Sequence, residues 1–310
     1  VGSEMCIRDS TNTEGNTVGV TFEFKTAKAR GDEINLSLFE PGLFIQAKTK
    51  AVSSPDQWKQ EALALLPEFL GAERVAIYFW TWADTDDMGT VFVEPSEVLK
   101  ALGMTNSTRG REQILRHMDA LTHVEMTVAR KHGPSFQGPL ILPSKETITP
   151  PKDGSRGKRK IHVYRHNLAV VSMRRECYVG IPRRAFELVG KWHTGSGPKD
   201  DGYRALTLLG SCYVIARAFA TKTGTQGGVT YRGPDGFEMP VEDVLTRSGF
   251  ATPGDFKKNP GFNTARARDA VRRLTDEFKF FGKGSEVFPG KDGTPMFRFV
   301  SPPELKACLL

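Results

Sequence analysis

Two sets of side chains in this sequence have the type and spacing to read a nucleic acid. Gln113 and Arg116, with Arg109 one to two turns earlier, fall on one face of a predicted helix, and Arg268 and Arg272 stand four residues apart on another. Arginine can hold the O6/N7 edge of guanine through two hydrogen bonds, and glutamine can hold the N6/N7 edge of adenine in the same way. Such contacts require a helix that enters the major groove and further cations that grip phosphates. Arg111, Arg266 and Arg273 flank the two faces, and Lys158, Arg159, Lys160 and Lys291 lie in loops beyond them, completing the candidate DNA-binding set. An arginine-rich helix face is most often only solvated. The argument for binding is that there are two, each behind a helix bounded by proline and glycine and ahead of a predicted hairpin.

Other chemistries find little support. No G-x-x-x-x-G-K-[ST] phosphate loop occurs, and the look-alike Phe281-Gly-Lys-Gly-Ser285 lacks both the leading glycine and a strand-to-helix setting, so it reads as a turn. His162 and His166 have helical metal spacing, but they fall on a predicted strand, where four residues span roughly 13 Å, too far to share an ion. No H-x-H pair stands near a candidate tyrosine nucleophile, and no G-x-S-x-G appears. The expectation is a protein that is not an enzyme and takes no cofactor or metal. Cys6, Cys177, Cys212 and Cys308 are far apart and read as reduced thiols. Cys308 is one place short of a prenylation box, so no lipid anchor is expected.

The elements that must position these arginines emerge from punctuation and periodicity. A short helix is predicted over 95–102, stopped by Gly103, and after a turn over 104–107 a longer helix begins near Thr108. In that helix Ile114, Met118 and Leu121 face a core and Arg109, Glu112, Gln113 and Arg116 face away. A β-prone stretch over 124–129, a basic Gly/Pro-rich loop to Lys160 and a strand over 161–164 complete a predicted winged helix. The pattern recurs: Glu97-Val98-Leu99 through Gly103 is echoed by Asp243-Val244-Leu245 through Gly249, again behind a proline, Pro240. Asn263 is the predicted cap of the second long helix, with Ala267, Ala270, Val271, Leu274 and Phe278 inward and Arg268, Asp269, Arg272 and Arg273 outward. A hairpin over 286–300, turning at Gly290–Gly293, is the second wing. Between the copies, 203–219 is apolar nearly all round and reads as a buried helix.

Upstream, residues 17–25 alternate with period two, placing Val18, Val20, Phe22 and Phe24 on one strand face, and Ile34, Leu36 and Leu38 repeat the pattern briefly. Ser54-Pro55 caps a predicted helix over 55–66. The β-rich runs 74–82 and 90–93 are expected to form a hairpin. At 310 residues two domains are expected, from about 150 residues each. The predicted class is α+β: two tandem winged-helix domains, at 51–172 and 173–310, behind a short N-terminal β segment at 11–50. Residues 1–10 share no pattern with the rest of the chain and resemble translated adapter sequence, so they are set aside, and Cys308-Leu309-Leu310 could share that origin.

The net charge of +7 is not spread evenly. Between residues 109 and 168 twelve Lys/Arg face five Asp/Glu, and between 247 and 283 nine face four, which leaves the rest net acidic. No run of about 18 apolar residues suggests a membrane span, and a cytoplasmic location is expected.

This layout resembles the iteron-binding plasmid replication initiators, which carry two tandem winged-helix domains. The resemblance runs over roughly 55–300. It rests on the helix-turn-helix of 95–121, its Ala120-Leu121-Thr122 exit into a strand, the pair 161–171 and 177–188 with Tyr178-Val-Gly-Ile-Pro182, and the second copy from Pro240 to Val300. It departs at Lys199-Asp-Asp-Gly-Tyr203-Arg204, where family members have a more basic helix start. The resemblance implies binding of double-stranded origin repeats by both domains, opening of an adjacent A+T-rich duplex, and recruitment of a host replication initiator and replicative helicase. It also implies a homodimer that dissociates before acting. The same residues fit a two-domain winged-helix transcriptional regulator and, further off, an RNA-binding or structural protein, and a phage origin would look the same as a plasmid one.

Overall fold

The computed structural model describes residues 17–24, 45–46, 71–86, 89–130, 136–148, 160–167, 181–192, 201–226, 228–251 and 253–309. The predicted helix over 55–66, the alternation at 34–38, residues 1–10 and most of the basic loop before Lys160 lie outside them. The architecture is mixed α+β, and the described residues fall into two compact units. One runs from Ile77 to Asn167 and includes the two N-terminal strands; the other takes Gly71–Ala76 and everything from Ile181 onward. Among the described residues no helix is long and apolar enough to cross a membrane.

In the first unit, β1 (Thr17–Phe24) pairs antiparallel with β2 (Ile45–Gln46) and with β4 (Val124–Arg130), which pairs with β5 (Phe136–Pro139). A second sheet has the order β3-β7-β6, from β3 (Thr90–Val93), β6 (Ile141–Ile148) and β7 (Ile161–His166). Leu140, fully buried, joins the two sheets: its N–H donates to Val124 O at 2.7 Å, and Asn167 Nδ2 donates to Pro139 O at 2.8 Å.

Two expectations fail here. The run 74–82 is no strand but part of helix α1 (Ala72–Ala83), and β3 pairs with β7 instead. Val75, Ala76, Ile77, Tyr78, Trp80 and Thr81 are all buried, so burial at nearly every position erases both the two-residue and the 3.6-residue period. The β-branched and aromatic composition then argues falsely for a strand, whereas the tertiary setting selects a helix. Likewise β5 and β6 occupy residues expected to be loop, so β7 pairs with β6, whereas β4, expected to form the wing with the strand over 161–164, pairs with β1 and β5 in the other sheet. Pro139 ends one strand, and Pro143 pairs with Tyr164 as the last residue before a register shift that runs to Thr147, so each proline stands at the end of a regular stretch of ladder.

The helical pair forms as predicted. Helix α2 (Pro95–Ala101) begins with proline at its first turn, and helix α3 (Thr108–Thr122) is capped by Ser107, whose Oγ accepts from Gly110 N at 3.0 Å. Between them Gly103 takes φ 66°, with its N–H donating to Lys100 O at 3.0 Å and Met104 N–H to Leu99 O at 2.8 Å. This is a Schellman stop, which requires the left-handed conformation that glycine adopts without strain.

The second unit opens with a 3-10 turn (Arg183–Glu187) and a short helix α4 (Leu188–Lys191), followed by the long helix α5 (Asp201–Ala218). Helix α5 is buried on most sides, including Leu206, Leu209, Cys212 and Tyr213, as its apolar sequence demands. Tyr213 Oη donates to Phe280 O at 2.9 Å, and Thr207 Oγ1 donates to Ser248 O at 2.7 Å, so these polar atoms are satisfied. A five-stranded sheet has the order β11-β12-β10-β9-β8, from β8 (Thr223–Gln226), β9 (Val229–Arg232), β10 (Gly236–Pro240), β11 (Glu286–Pro289) and β12 (Pro295–Val300). Phe237, Phe281, Phe297 and Phe299 form its aromatic core, with Phe281 edge-on to Phe299 at 5.0 Å.

After β10 come α6 (Val241–Arg247), the short α7 (Pro253–Lys258), α8 (Pro260–Arg272) and a π turn (Arg273–Glu277), with α9 (Pro303–Leu309) as the last helix. Gly249 repeats the stop seen at Gly103: φ is 65°, its N–H donates to Thr246 O at 3.0 Å, and Phe250 N–H donates to Leu245 O at 2.9 Å. Asn263 does not cap α8, which starts earlier, at Pro260 behind Asn259. Asn263 is buried inside the helix, donating to Asp255 O at 3.0 Å and Asn259 O at 3.1 Å, and so ties α7 to α8.

Candidate nucleic-acid interface

In the first unit, Ile114, Met118 and Leu121 of α3 are almost fully buried, as are the α2 side chains Val98 and Leu99. That anchorage turns Arg109, Arg111, Glu112 and Arg116 to solvent, with Gln113 half-buried at the flank. Arg111 Nη2 donates to Thr108 Oγ1 at 3.3 Å. Arg109 and Arg116 are exposed and make no ion pair among the described residues, leaving their guanidinium donors to water. Lys160 is exposed at the foot of β7, whereas Lys158 and Arg159 lie outside the described residues.

His162 is half-buried, and burial together with Lys160 pushes its pKa below the usual histidine value. His166 is buried and stacks on Trp82 with centroids 4.1 Å apart. Cys212 is fully buried, and that burial pushes its thiol pKa up. Phe281–Ser285 is a turn closed by Ser285 N–H to Gly282 O at 3.1 Å.

Along α8 and the π turn that continues it, the structure separates the four arginines. Arg268 and Arg272 are exposed, and Arg272 Nη2 donates to Asp269 Oδ1 at 2.6 Å, which raises the arginine pKa and holds the guanidinium over the helix. Arg273 does not face out. Its side chain is 8% exposed; Nε donates to Glu277 Oε2 at 2.9 Å and Nη1 to Trp192 O at 3.1 Å, and the guanidinium lies 4.1 Å from the Trp192 ring centroid. The same contact holds the Glu277 carboxyl below its usual range. Arg266 is also engaged within the unit, paired with Asp201 and 5.1 Å over the Phe250 ring. Arg266 on α8 and Arg273, the first residue of the π turn that continues it, are two turns apart on one flank, and neighbouring elements cover both.

The β11–β12 hairpin turns at Gly290–Gly293, with Gly290 N–H donating to Thr294 O at 2.8 Å. Lys291 is exposed at its tip beside Asp292, whose carboxylate accepts from Thr294 N–H at 3.0 Å. Arg298 is held to Glu238 and Glu286, so the hairpin base is braced internally. Three exposed residues near the second helix pair escape the sequence reading: Lys257 and Lys258, which end α7, and Phe262, which opens α8. The dipeptide Asn259-Pro260 is the signal that places them, since proline favours the first helical position.

No protein-family model matches the chain, and no curated protein matches it. Among solved structures, the crystal structure of RctB domains 2-3, RctB-155-483, is similar over 81% of this chain and 84% of that one, at 10% identity and a TM-score of 0.36. The structure of SeMet derivatives of domain2 and domain 3 of RctB is similar over 78% of this chain and 82% of that one, at 11% identity and a TM-score of 0.35.

Proposed function

We propose that the chain is a sequence-specific double-stranded DNA-binding protein built on two winged-helix modules. The carrying observation is a repeated arrangement: helix, strand, two helices and a β-hairpin, with the hairpin's second strand lying between its first strand and the lone strand. It occurs as α1-β3-α2-α3-β6-β7 with order β3-β7-β6, where β4 and β5 are inserted after α3, and again as α5-β10-α6-α8-β11-β12 with order β10-β12-β11, where β8 and β9 are inserted after α5 and the short α7 separates α6 from α8. In each copy the second helix of the pair, α3 or α8, presents exposed arginines, the placement that major-groove reading needs. The element order and the two basic segments support a replication initiator of the iteron-binding type, acting at origin repeats by binding energy rather than by hydrolysis.

Titration of salt against affinity for duplex DNA should give a steep log–log slope, about −0.9 per phosphate neutralised. A slope near zero would end this reading. Selection from random duplexes then separates roles: tandem direct repeats beside an A+T-rich tract belong to an initiator, and a single promoter palindrome to a regulator. ATP should leave binding unchanged, and supercoiled DNA should remain unnicked.

A further inference from the structure

We propose that Phe262 reads a thymine methyl group in the major groove, with Gly261 leaving the room for it to approach. The inference rests on reading α6 and α8 as a DNA-binding pair. Phe262 is 64% exposed, whereas the aromatic rings at the core of its unit are buried. The ring nevertheless has a neighbour within the unit. The Arg266 guanidinium lies 5.6 Å from the ring centroid, and that guanidinium is itself held by Asp201 and by Phe250. The ring is therefore exposed beside a side chain that is itself anchored within the unit.

Three surrounding features select the occupant. Phe262 is the third residue of α8, and the first residues of a groove-entering helix are those that meet base edges. A side chain at Gly261 would meet nothing within 4 Å, so the fold does not need glycine there, and alanine would suit a helix better. A missing side chain beside an outward ring instead leaves space for a partner. Lys257 and Lys258 precede the ring, and Arg268 and Arg272 come after it, all exposed; of the acids nearby, Asp255 and Asp269, the second is paired to Arg272. An apolar contact framed by cations matches a groove whose walls are phosphates and whose floor offers one apolar group, the thymine methyl.

The test uses the full chain on the duplex that the wild type selects, with each dT replaced singly by dU to remove only the methyl. At one position the wild type should lose about fourfold, the factor for one buried methyl. Phe262→Ala should lose a similar factor, become indifferent to that dU, and melt at the wild-type temperature, while Arg272→Ala should keep the dU response. Gly261→Ala should melt no lower than wild type yet bind more weakly. Wild-type indifference to every dU, or an unchanged dU response in Phe262→Ala, would overturn the assignment while leaving DNA binding intact. A shift in sedimentation of Phe262→Ala with no change in dU response would assign the ring to a second copy and overturn it too. If the wild type selects no sequence, the DNA-binding reading fails and takes this inference with it.

Discussion

Whether an arginine on α8 is structural or available is decided by a few tens of degrees around the helix axis. Ala267, Ala270, Val271 and Leu274 define the buried direction, and Arg272 points almost opposite it, which periodicity alone reveals. Arg266 and Arg273 sit at the boundary, where the outcome depends on what covers the flank. Trp192 and Asp201 do so, and both precede α8 by 50 residues or more, too far for local pattern to report. Arg273→Ala should therefore destabilise by about 1–3 kcal/mol, because Trp192 O loses its donor and the Trp192 ring its cover. Urea denaturation measures this. Arg268→Ala, whose side chain is in water, should change stability by no more than about 0.5 kcal/mol and weaken DNA binding instead. Equal stability losses in the two variants would mean that the burial difference has no energetic content.

At the scale of elements the ends of α2 and α6 and the start of α3 were legible because their signals are local, whereas the start of α8 was not, since Asn263 lies inside that helix. Pro95, Gly103 and Ser107 each act within a turn of their own position, and Gly249 repeats the Gly103 geometry to within a degree, at φ 65° against 66°. An alanine at either glycine must hold a left-handed conformation, at a cost of about 1–2 kcal/mol. Asparagine tolerates that region better. Thermal melting of Gly103→Ala and Gly103→Asn should therefore rank wild type above asparagine above alanine, with the same order at Gly249. An alanine variant that melts with the wild type would show that the stop does not depend on this conformation. Signals failed where locality fails. In α1 the run Arg74-Val-Ala-Ile-Tyr-Phe-Trp-Thr-Trp82 carries no period, and Pro143 reads as a loop residue in sequence although it pairs with Tyr164 in the β6–β7 ladder, just before the register shifts.

At the scale of the molecule, the repeat was visible in the sequence, but the assignment of Gly71–Ala76 to the second unit was not, because that link joins segments more than 100 residues apart. The consequence is practical: a cut near residue 172 would remove those residues from the unit they belong to, so each helix proposed to read DNA is better silenced within the full chain. Arg109→Ala with Arg116→Ala addresses α3, and Arg268→Ala with Arg272→Ala addresses α8. All four side chains are exposed, so both double variants should fold. When two reading helices share one chain, engagement of the first raises the effective concentration of the second, and loss of either should cost the whole complex more than its own contacts alone. With about 1–3 kcal/mol per lost base contact and two contacts removed, each double variant should bind the selected duplex at least roughly 30-fold more weakly. Hydroxyl-radical footprinting should show two protected segments for the wild type, one fading in the α3 variant and the other in the α8 variant. Any bending or opening of the duplex, which costs on the order of a few kcal/mol, needs both grips and should disappear in each variant. Loss of the same segment in both variants, or one variant that keeps wild-type affinity and base preference, would show that only one unit reads DNA.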